Sequence, residues 1–366
     1  MVVSDLVLSG FRNYASGLVR FHPGLNFFVG PNGQGKTNLA EAIFYLGHLD
    51  SFRTHDRRDL LAENAAQATL QAKIQHQNQT LRVDVEVSRK GRRVWLDATP
   101  VKQLSGYVSR FFVLAFNPDQ LYLFRHFPAE RRSFFNRALS FAEPEYLEAI
   151  KGYRSVLSHR NQLLKNKQFS SLPEWNRLFV GQAFAMMVKR LELLQTLNQS
   201  LSSLFLGLTD KDLELTLELR PSLKGMAEST AQPQETCDAW LEELNRLAPQ
   251  EQKAGYTLLG PHRDDFRFRM GSRSDSRFSQ GEYRAAWLSL QLALNQWFQD
   301  RTQFIPVLIL DDVFSELDTK VSANLMKHLS ELPNQVFVTA THLSEKPPSG
   351  AYILDISQGE AKETAM

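Results

Sequence analysis

The sequence predicts an α/β fold: a nucleotide-binding head that includes antiparallel strands, interrupted by a mostly helical inserted segment. Three observations carry this. Gly30-Pro31-Asn32-Gly33-Gln34-Gly35-Lys36-Thr37 fits the phosphate-loop pattern G-x-x-x-x-G-K-[ST] without a mismatch. The apolar residues 25–29 before it read as a buried strand, and residues 38–46 after it carry apolar side chains at helical spacing. Far downstream, Ile305-Pro306-Val307-Leu308-Ile309-Leu310 is a second apolar strand that ends in two carboxylates, Asp311 and Asp312.

The loop's chemistry follows from its composition. Glycine lets the backbone turn tightly and approach a ligand with no Cβ in the way. The loop N–H groups and the helix N-terminus then face the phosphates of a nucleotide. Lys36 places a point charge on the β- and γ-phosphates, and Thr37 offers a hydroxyl to magnesium. ATP and Mg2+ are therefore the expected ligands. Gly30, Pro31, Asn32, Gly33, Gln34, Gly35, Lys36 and Thr37 form the cradle. In the downstream strand, Asp311 suits a magnesium contact through water, and Asp312 suits the base that orients and deprotonates the attacking water.

The first strands precede the loop. Residues 2–8 alternate, Gly10-Phe11-Arg12-Asn13-Tyr14 reads as a turn, and residues 18–21 form a second strand. Residues 68–74, 81–87 and 94–96 alternate with period two as antiparallel strands. Arg89, Lys90, Arg92 and Arg93 crowd one hairpin tip there, as a solvated turn or a phosphate contact. Residues 107–116 hold a buried strand that Pro118 stops. Residues 131–139, 146–167 and 175–205 are helical, the last as one long helix or two, with a break around Pro173. Residues 213–219 make a short strand, 221–234 a surface loop and 237–247 a helix. The reading divides the chain into a discontinuous head, residues 1–127 and 253–366, and a helical arm, residues 128–252.

Composition limits the remaining possibilities. The chain of 366 residues is 43% hydrophobic and 22% charged, which supplies a large core and argues against global disorder. Its net charge of +2 leaves any anionic partner to a local basic patch. The single cysteine, Cys237, excludes an intrachain disulfide and a cysteine-rich metal site. No apolar run is long enough to span a bilayer, and the N-terminus lacks the regions of a signal peptide. A cytoplasmic protein with no membrane partner is expected.

Further motifs complete the order of an ABC-type ATPase. Ser315-Glu316-Leu317-Asp318 follows the two acids and resembles a D-loop. Ser279-Gln280-Gly281-Glu282 opens a helix and resembles the ABC signature S-x-G-Q, with Glu282 in place of glutamine. His342 ends a strand, residues 335–342, where such heads place a histidine that meets the γ-phosphate; a polar cap is the plainer reading. The resemblance implies that Ser279 and Gly281 bind the nucleotide of a second subunit, so ATP would join two heads into a homodimer and hydrolysis would part them.

Leu259-Gly260-Pro261-His262-Arg263-Asp264-Asp265 narrows the resemblance to the RecF family of bacterial DNA replication and repair proteins. Phe11 to Tyr14, Gly30 to Asn38, Ser51-Phe52-Arg53, Arg131-Arg132, Arg160-Asn161, Ser279 to Arg284 and Asp311 to Asp318 agree with it. Asn136 stands where that family often has aspartate. The resemblance implies ATP-dependent binding of double-stranded DNA next to single-stranded gaps. It also implies slow hydrolysis, and cooperation with RecO and RecR in loading RecA. From the residues themselves, Arg263, Arg267, Arg269, Arg273 and Arg277, with Arg154, Arg160, Lys165 and Lys167, offer a patch for phosphates without base readout.

Three other readings compete. An SMC-like structural, DNA-tethering ATPase needs helical arms of hundreds of residues, which this chain lacks. A transporter ATPase subunit has its phosphate loop and signature closer together. A small-molecule kinase needs neither D-loop nor signature.

Overall fold

The computed structural model describes residues 1–76, 79–102, 107, 111–223, 233–302, 304–343 and 347–364. The chain divides into two compact units. One holds residues 1–122, 207–210 and 287–366; the other holds 123–206 and 211–286.

The first unit contains two six-stranded sheets. Strands β1 (Val2–Phe11) and β2 (Tyr14–Arg20) form a hairpin whose turn is Arg12-Asn13. β1 also pairs with β4 (Gln67–His76), which leads through β5 (Gln79–Ser88) and β6 (Gly91–Leu96) to the edge strand β7 (Thr99–Pro100), all antiparallel. Alternation along β5 buries Val83, Val85 and Val87, as a half-buried sheet face requires.

The second sheet places β3 (Leu25–Val29) between β13 (Val336–Ala340) and β14 (Tyr352–Ser357), and continues through β12 (Val307–Leu310) to β8 (Val113–Phe116). These five strands are parallel, and β15 (Glu360–Glu363) closes one edge antiparallel. Every residue of β8 and β12 is buried, the continuous apolar pattern of parallel strands covered on both faces. Helix α1 (Lys36–His48) touches β8 and β13 of this sheet and β4 of the other. Its apolar residues Leu39, Ile43, Phe44 and Leu46 join one core with both sheets.

The second unit is richer in strand than the sequence suggests. Helices Pro128–Ala142, Pro144–Lys165 and Pro233–Ala254 belong to it, as does most of Leu172–Thr209, which is one unbroken helix of 38 residues. Strand β9 (Leu215–Arg220) pairs in antiparallel register with β10 (Asp265–Met270), and β11 (Arg273–Ser274) completes a three-stranded sheet. This pairing lies within the compact unit, which extends to residue 286. Helix Pro118–His126, which that reading missed, starts where Asn117 Oδ1 accepts from the Gln120 N–H at 2.7 Å. The expected surface loop at 221–234 lies largely outside the described residues. Cys237 is half-buried, and burial, with the nearby Asp238 charge, pushes its thiol up, away from the thiolate form.

The Gly260–Asp265 run is mostly internal. Asp264 is buried and accepts from Arg190 Nη1 at 2.9 Å and from the Ser222 N–H at 2.9 Å. Asp265 receives two hydrogen bonds from the buried Arg131, at 2.6 and 2.9 Å, the fork geometry that suits arginine and carboxylate. Tyr153 donates to His262 Nδ1 at 2.6 Å, and His262 Nε2 donates to Thr257 O at 3.3 Å. That pattern belongs to a neutral imidazole.

His262 yields a pH prediction. Burial chiefly, reinforced by Arg263, Arg132 and Arg160, lowers its pKa from 6.5 to about 4. The unfolded chain therefore takes up this proton first as the pH falls. The stabilising contribution is complete above about pH 6.5, declines from there to about pH 4, and is constant below. Urea midpoints measured across that window should fall more steeply for the native chain than for His262→Gln.

Candidate active site

The β3 strand delivers the phosphate loop at the carboxyl edge of the parallel sheet, where open α/β sheets bind ligands. Gly30 has φ 153, and a Cβ there would stand 2.3 Å from Ile356 O. Gly35 has φ 116 at the helix N-cap, and a Cβ there would lie 2.7 Å from Asn13 Nδ2. Both glycines are thus required by neighbours as well as by the turn. Lys36 Nζ donates to Gly30 O at 2.7 Å and Pro31 O at 2.8 Å, so the ammonium lies across the mouth of its own loop. Desolvation lowers its pKa, opposed by the negative charges of Asp312 and Asp311.

Two turns brace the loop. From the β1–β2 turn, Asn13 Nδ2 donates to Gln34 O at 3.0 Å and the Tyr14 hydroxyl donates to Gly35 O at 3.1 Å. From the β14–β15 turn, the Gly359 N–H donates to Gln34 O at 3.0 Å and the Gln358 N–H to Gln34 Oε1 at 2.8 Å. Glu41, one turn into helix α1, is fully buried and receives both Arg12 Nε and Nη2 at 2.7 Å. The Ser51 hydroxyl also donates to it. A buried carboxylate needs such partners, and removing one would leave a costly uncompensated charge.

The adjacent acids have different surroundings. Asp311 is buried; its Oδ1 accepts from Thr37 Oγ1 at 2.8 Å and from Thr339 Oγ1 at 2.8 Å. Burial pushes its carboxyl up, and the two hydroxyls partly counter this. Asp312 is exposed, with φ 51, an uncommon conformation for a residue with a side chain. Its N–H donates to Thr339 Oγ1 at 2.9 Å, and its carbonyl accepts from Ser315 Oγ at 2.9 Å. Asp318 caps the helix Thr319–Glu331 by accepting from the Val321 N–H. His342 lies beyond the end of β13, exposed, with Nδ1 3.0 Å from Thr341 Oγ1.

In the second unit, Ser279 opens the helix Gln280–Thr302, and Ser279, Gln280 and Gly281 are exposed. Ser279 Oγ accepts from the Glu282 N–H at 3.2 Å, while Glu282 Oε2 accepts from the Ser279 N–H at 2.9 Å. This reciprocal pair is a capping box. Glu282 also meets Arg273 Nη2 at 3.1 Å. The Ser279 hydrogen bond, and then Arg273, hold the Glu282 carboxyl below the usual range.

The description "RecF/RecN/SMC N terminal domain" belongs to the family model that matches residues 2–350. The DNA replication and repair protein RecF of Geotalea daltonii is 30% identical, the match covering 94% of each chain. The protein of the same name from Halothermothrix orenii is 33% identical over 93% of this chain and 92% of its own.

The chain belongs to the RecF family.

Solved structures show the same fold. The recombination mediator protein RecF with ATP, of the RecFOR pathway, superposes with TM-score 0.89 at 23% identity, covering 99% of this chain and 97% of that one. An Smc head bound to the C-terminal winged-helix domain of ScpA gives 0.58 at 14% identity, covering 100% and 98%.

Against that family background, the structure gathers the phosphate loop, Asp311 and Asp312 at one sheet edge. The Thr37–Asp311 pair supplies a hydroxyl and a carboxylate, the hard oxygen donors that magnesium prefers. No hydrogen bond joins His342 to these groups among the described residues. The arginine and lysine patch needs correction. Arg160 is buried against Glu251, Asn176 and Thr257. Arg267, Arg269 and Arg273 pair with Asp265 and Asp275, with Glu218 and with Glu282. Arg154, Lys165, Lys167, Arg263 and Arg277 remain exposed. At the β5–β6 hairpin, Arg92 donates to Leu49 O and Arg93 pairs with Glu86, which leaves Arg89 and Lys90 at the exposed tip. Sequence reasoning gave no role to Asn13, Tyr14, Glu41 or Thr339; the Phe11–Tyr14 run and a glutamate amid the apolar residues of α1 were the visible signals.

The capping box predicts an asymmetry between variants. Glu282→Ala removes the acceptor for the Ser279 N–H and should cost about 1 kcal/mol of stability. Glu282→Gln keeps that acceptor and should cost less. Urea unfolding of both variants measures the difference.

Proposed function

We propose that this chain is an ATP-dependent DNA-binding protein of recombinational gap repair and replication restart. The observation that carries the reading is the meeting of Lys36, Thr37, Asp311 and Asp312 at one edge, in a chain of a DNA replication and repair family. Gly30, Pro31, Asn32, Gly33, Gln34 and Gly35 cradle the triphosphate with backbone N–H groups. Lys36 exchanges its two carbonyl partners for phosphate oxygens, and Thr37 and Asp311 would hold Mg2+. Magnesium held there would supply charge neutralisation at the β- and γ-phosphates. Asp312 takes a proton from water as that water attacks the γ-phosphorus. The bond from the γ-phosphorus to its bridging oxygen breaks, giving ADP and phosphate.

Ser279 and Gly281 stand exposed at a helix N-terminus, a position suited to the γ-phosphate of a nucleotide held by another copy. ATP then joins two heads and hydrolysis releases them, slowly and under stimulation by DNA. His342 belongs to the same reading as a sensor of the γ-phosphate. The exposed cations bind double-stranded DNA beside a single-stranded gap through its phosphates, and the clamp assists RecO and RecR in loading RecA. Residues 1–127 and 253–366 serve as the ATPase head and 128–252 as its arm. Its place of action in this reading is the cytoplasm, with the DNA. An SMC-like tethering role fits less well, because the longest helix among the described residues has 38 residues.

Light scattering tests the clamp. The native chain should double in mass with a non-hydrolysable ATP analogue and magnesium, more readily on gapped duplex DNA, and not with ADP. Doubling without a DNA effect would remove the DNA reading. Lys36→Ala should weaken ATP binding, and Asp312→Asn should hold a long-lived ATP dimer. A normal hydrolysis rate in Asp312→Asn would end its assignment as the base.

A further inference from the structure

Thr339 is buried in the middle of the parallel sheet, on β13 between the loop strand β3 and the acid-bearing strand β12. A threonine hydroxyl has one proton to give and two lone pairs. Here the proton goes to Asp311 Oδ1 at 2.8 Å, and a lone pair takes the Asp312 N–H at 2.9 Å. One oxygen therefore ties together the side chain of the first acid and the backbone of the second.

The second tie falls where the backbone turns sharply. Asp311 still follows the strand, its N–H donating to Phe116 O at 2.8 Å. Asp312, the next residue, has left the strand pattern at φ 51. A side chain disfavours that conformation, so something must hold it. The Thr339 hydroxyl bonds the N–H of this residue directly. The Ser315 hydroxyl bonds its carbonyl. Of the two, only Thr339 is buried and also bound to the neighbouring acid.

We propose that Thr339 is a positioning residue for ATP hydrolysis: its hydroxyl fixes the left-handed backbone of Asp312, and so the aim of that carboxylate, relative to Asp311. This rests on the reading of Asp312 as the base. The residue touches neither water nor nucleotide in this role; it acts through the two acids. Loss of the hydroxyl should therefore slow the chemical step and leave nucleotide binding by the loop largely intact, because Lys36 and the loop N–H groups are unaffected.

The test compares Thr339→Val, which keeps the shape and removes the hydroxyl, with Thr339→Ser, which keeps the hydroxyl. Asp312→Asn runs beside them. Thr339→Val should lower kcat roughly ten- to a hundred-fold, the scale of a misaimed catalytic group, with KM for ATP changed by less than about two-fold. Thr339→Ser should recover most of the rate. Amide hydrogen exchange in the full chain without nucleotide gives a second readout. Protection of the Asp312 N–H should be lost in Thr339→Val and kept in Thr339→Ser. If Thr339→Val does not fold, Thr339→Ala takes its place in both measurements. A slow Asp312→Asn with an unchanged Thr339→Val would overturn the positioning role alone. An active Asp312→Asn would overturn the base assignment instead. Unchanged exchange at Asp312 in the valine variant would also overturn the proposal.

Discussion

Parallel pairing of β3, β13 and β12 is the constraint on which the rest of the site depends. In a parallel ladder all carboxyl ends share one edge, so residues distant in sequence arrive together there. The register Val29–Ala340 and the register Leu310–Val338 bring the end of the loop strand, Thr339 and the first acid into one row. The Thr37–Asp311 hydrogen bond spans 274 positions of sequence, yet it needs only the correct neighbouring strands. A slip of one residue would turn Asp311 to the opposite face of the sheet and dissolve the cluster.

How much of this could be read beforehand depended on whether the signal was local. The phosphate loop was legible because its pattern is contiguous and its physics backbone-based. Asp311 and Asp312 were legible because two acids close an apolar run. Thr339 was not, since a threonine in a β-strand is ordinary and its partner lies 28 positions away. Arg160 misled for the opposite reason. Basic residues along a helix suggest a charged surface, but Glu251, 91 positions distant, draws this one inside. The pairing of β9 with β10 was equally hidden, because those strands are separated by a helix of 22 residues. Glu282 could be matched to a family position, whereas its capping partnership needed the angle at which the helix begins.

The two units use buried charge in different ways. In the first, the Arg12–Glu41 pair lies beneath the loop helix and ties the hairpin turn to it. In the second, the Arg131–Asp265 and Arg190–Asp264 pairs tie the Gly260–Asp265 run to helices, and the Arg160–Glu251 pair joins two helices. Such pairs add little net stability over apolar packing, but they tolerate few alternative arrangements. Most of that run is thus internal scaffolding. Arg263 is its exposed member, resting over the ring of Tyr256 at a centroid distance of 5.5 Å.

The brace on Gln34 bears on how the protein is made. The loop is synthesised first, and Gln358, which clamps it, follows 324 positions later. Strand β14, whose Ile356 carbonyl crowds Gly30, also emerges late. A nascent chain on the ribosome therefore displays the complete phosphate-loop sequence long before the strand and turn that shape it exist. A chain cut short within β14 would retain every recognisable motif while lacking the wall behind its first glycine.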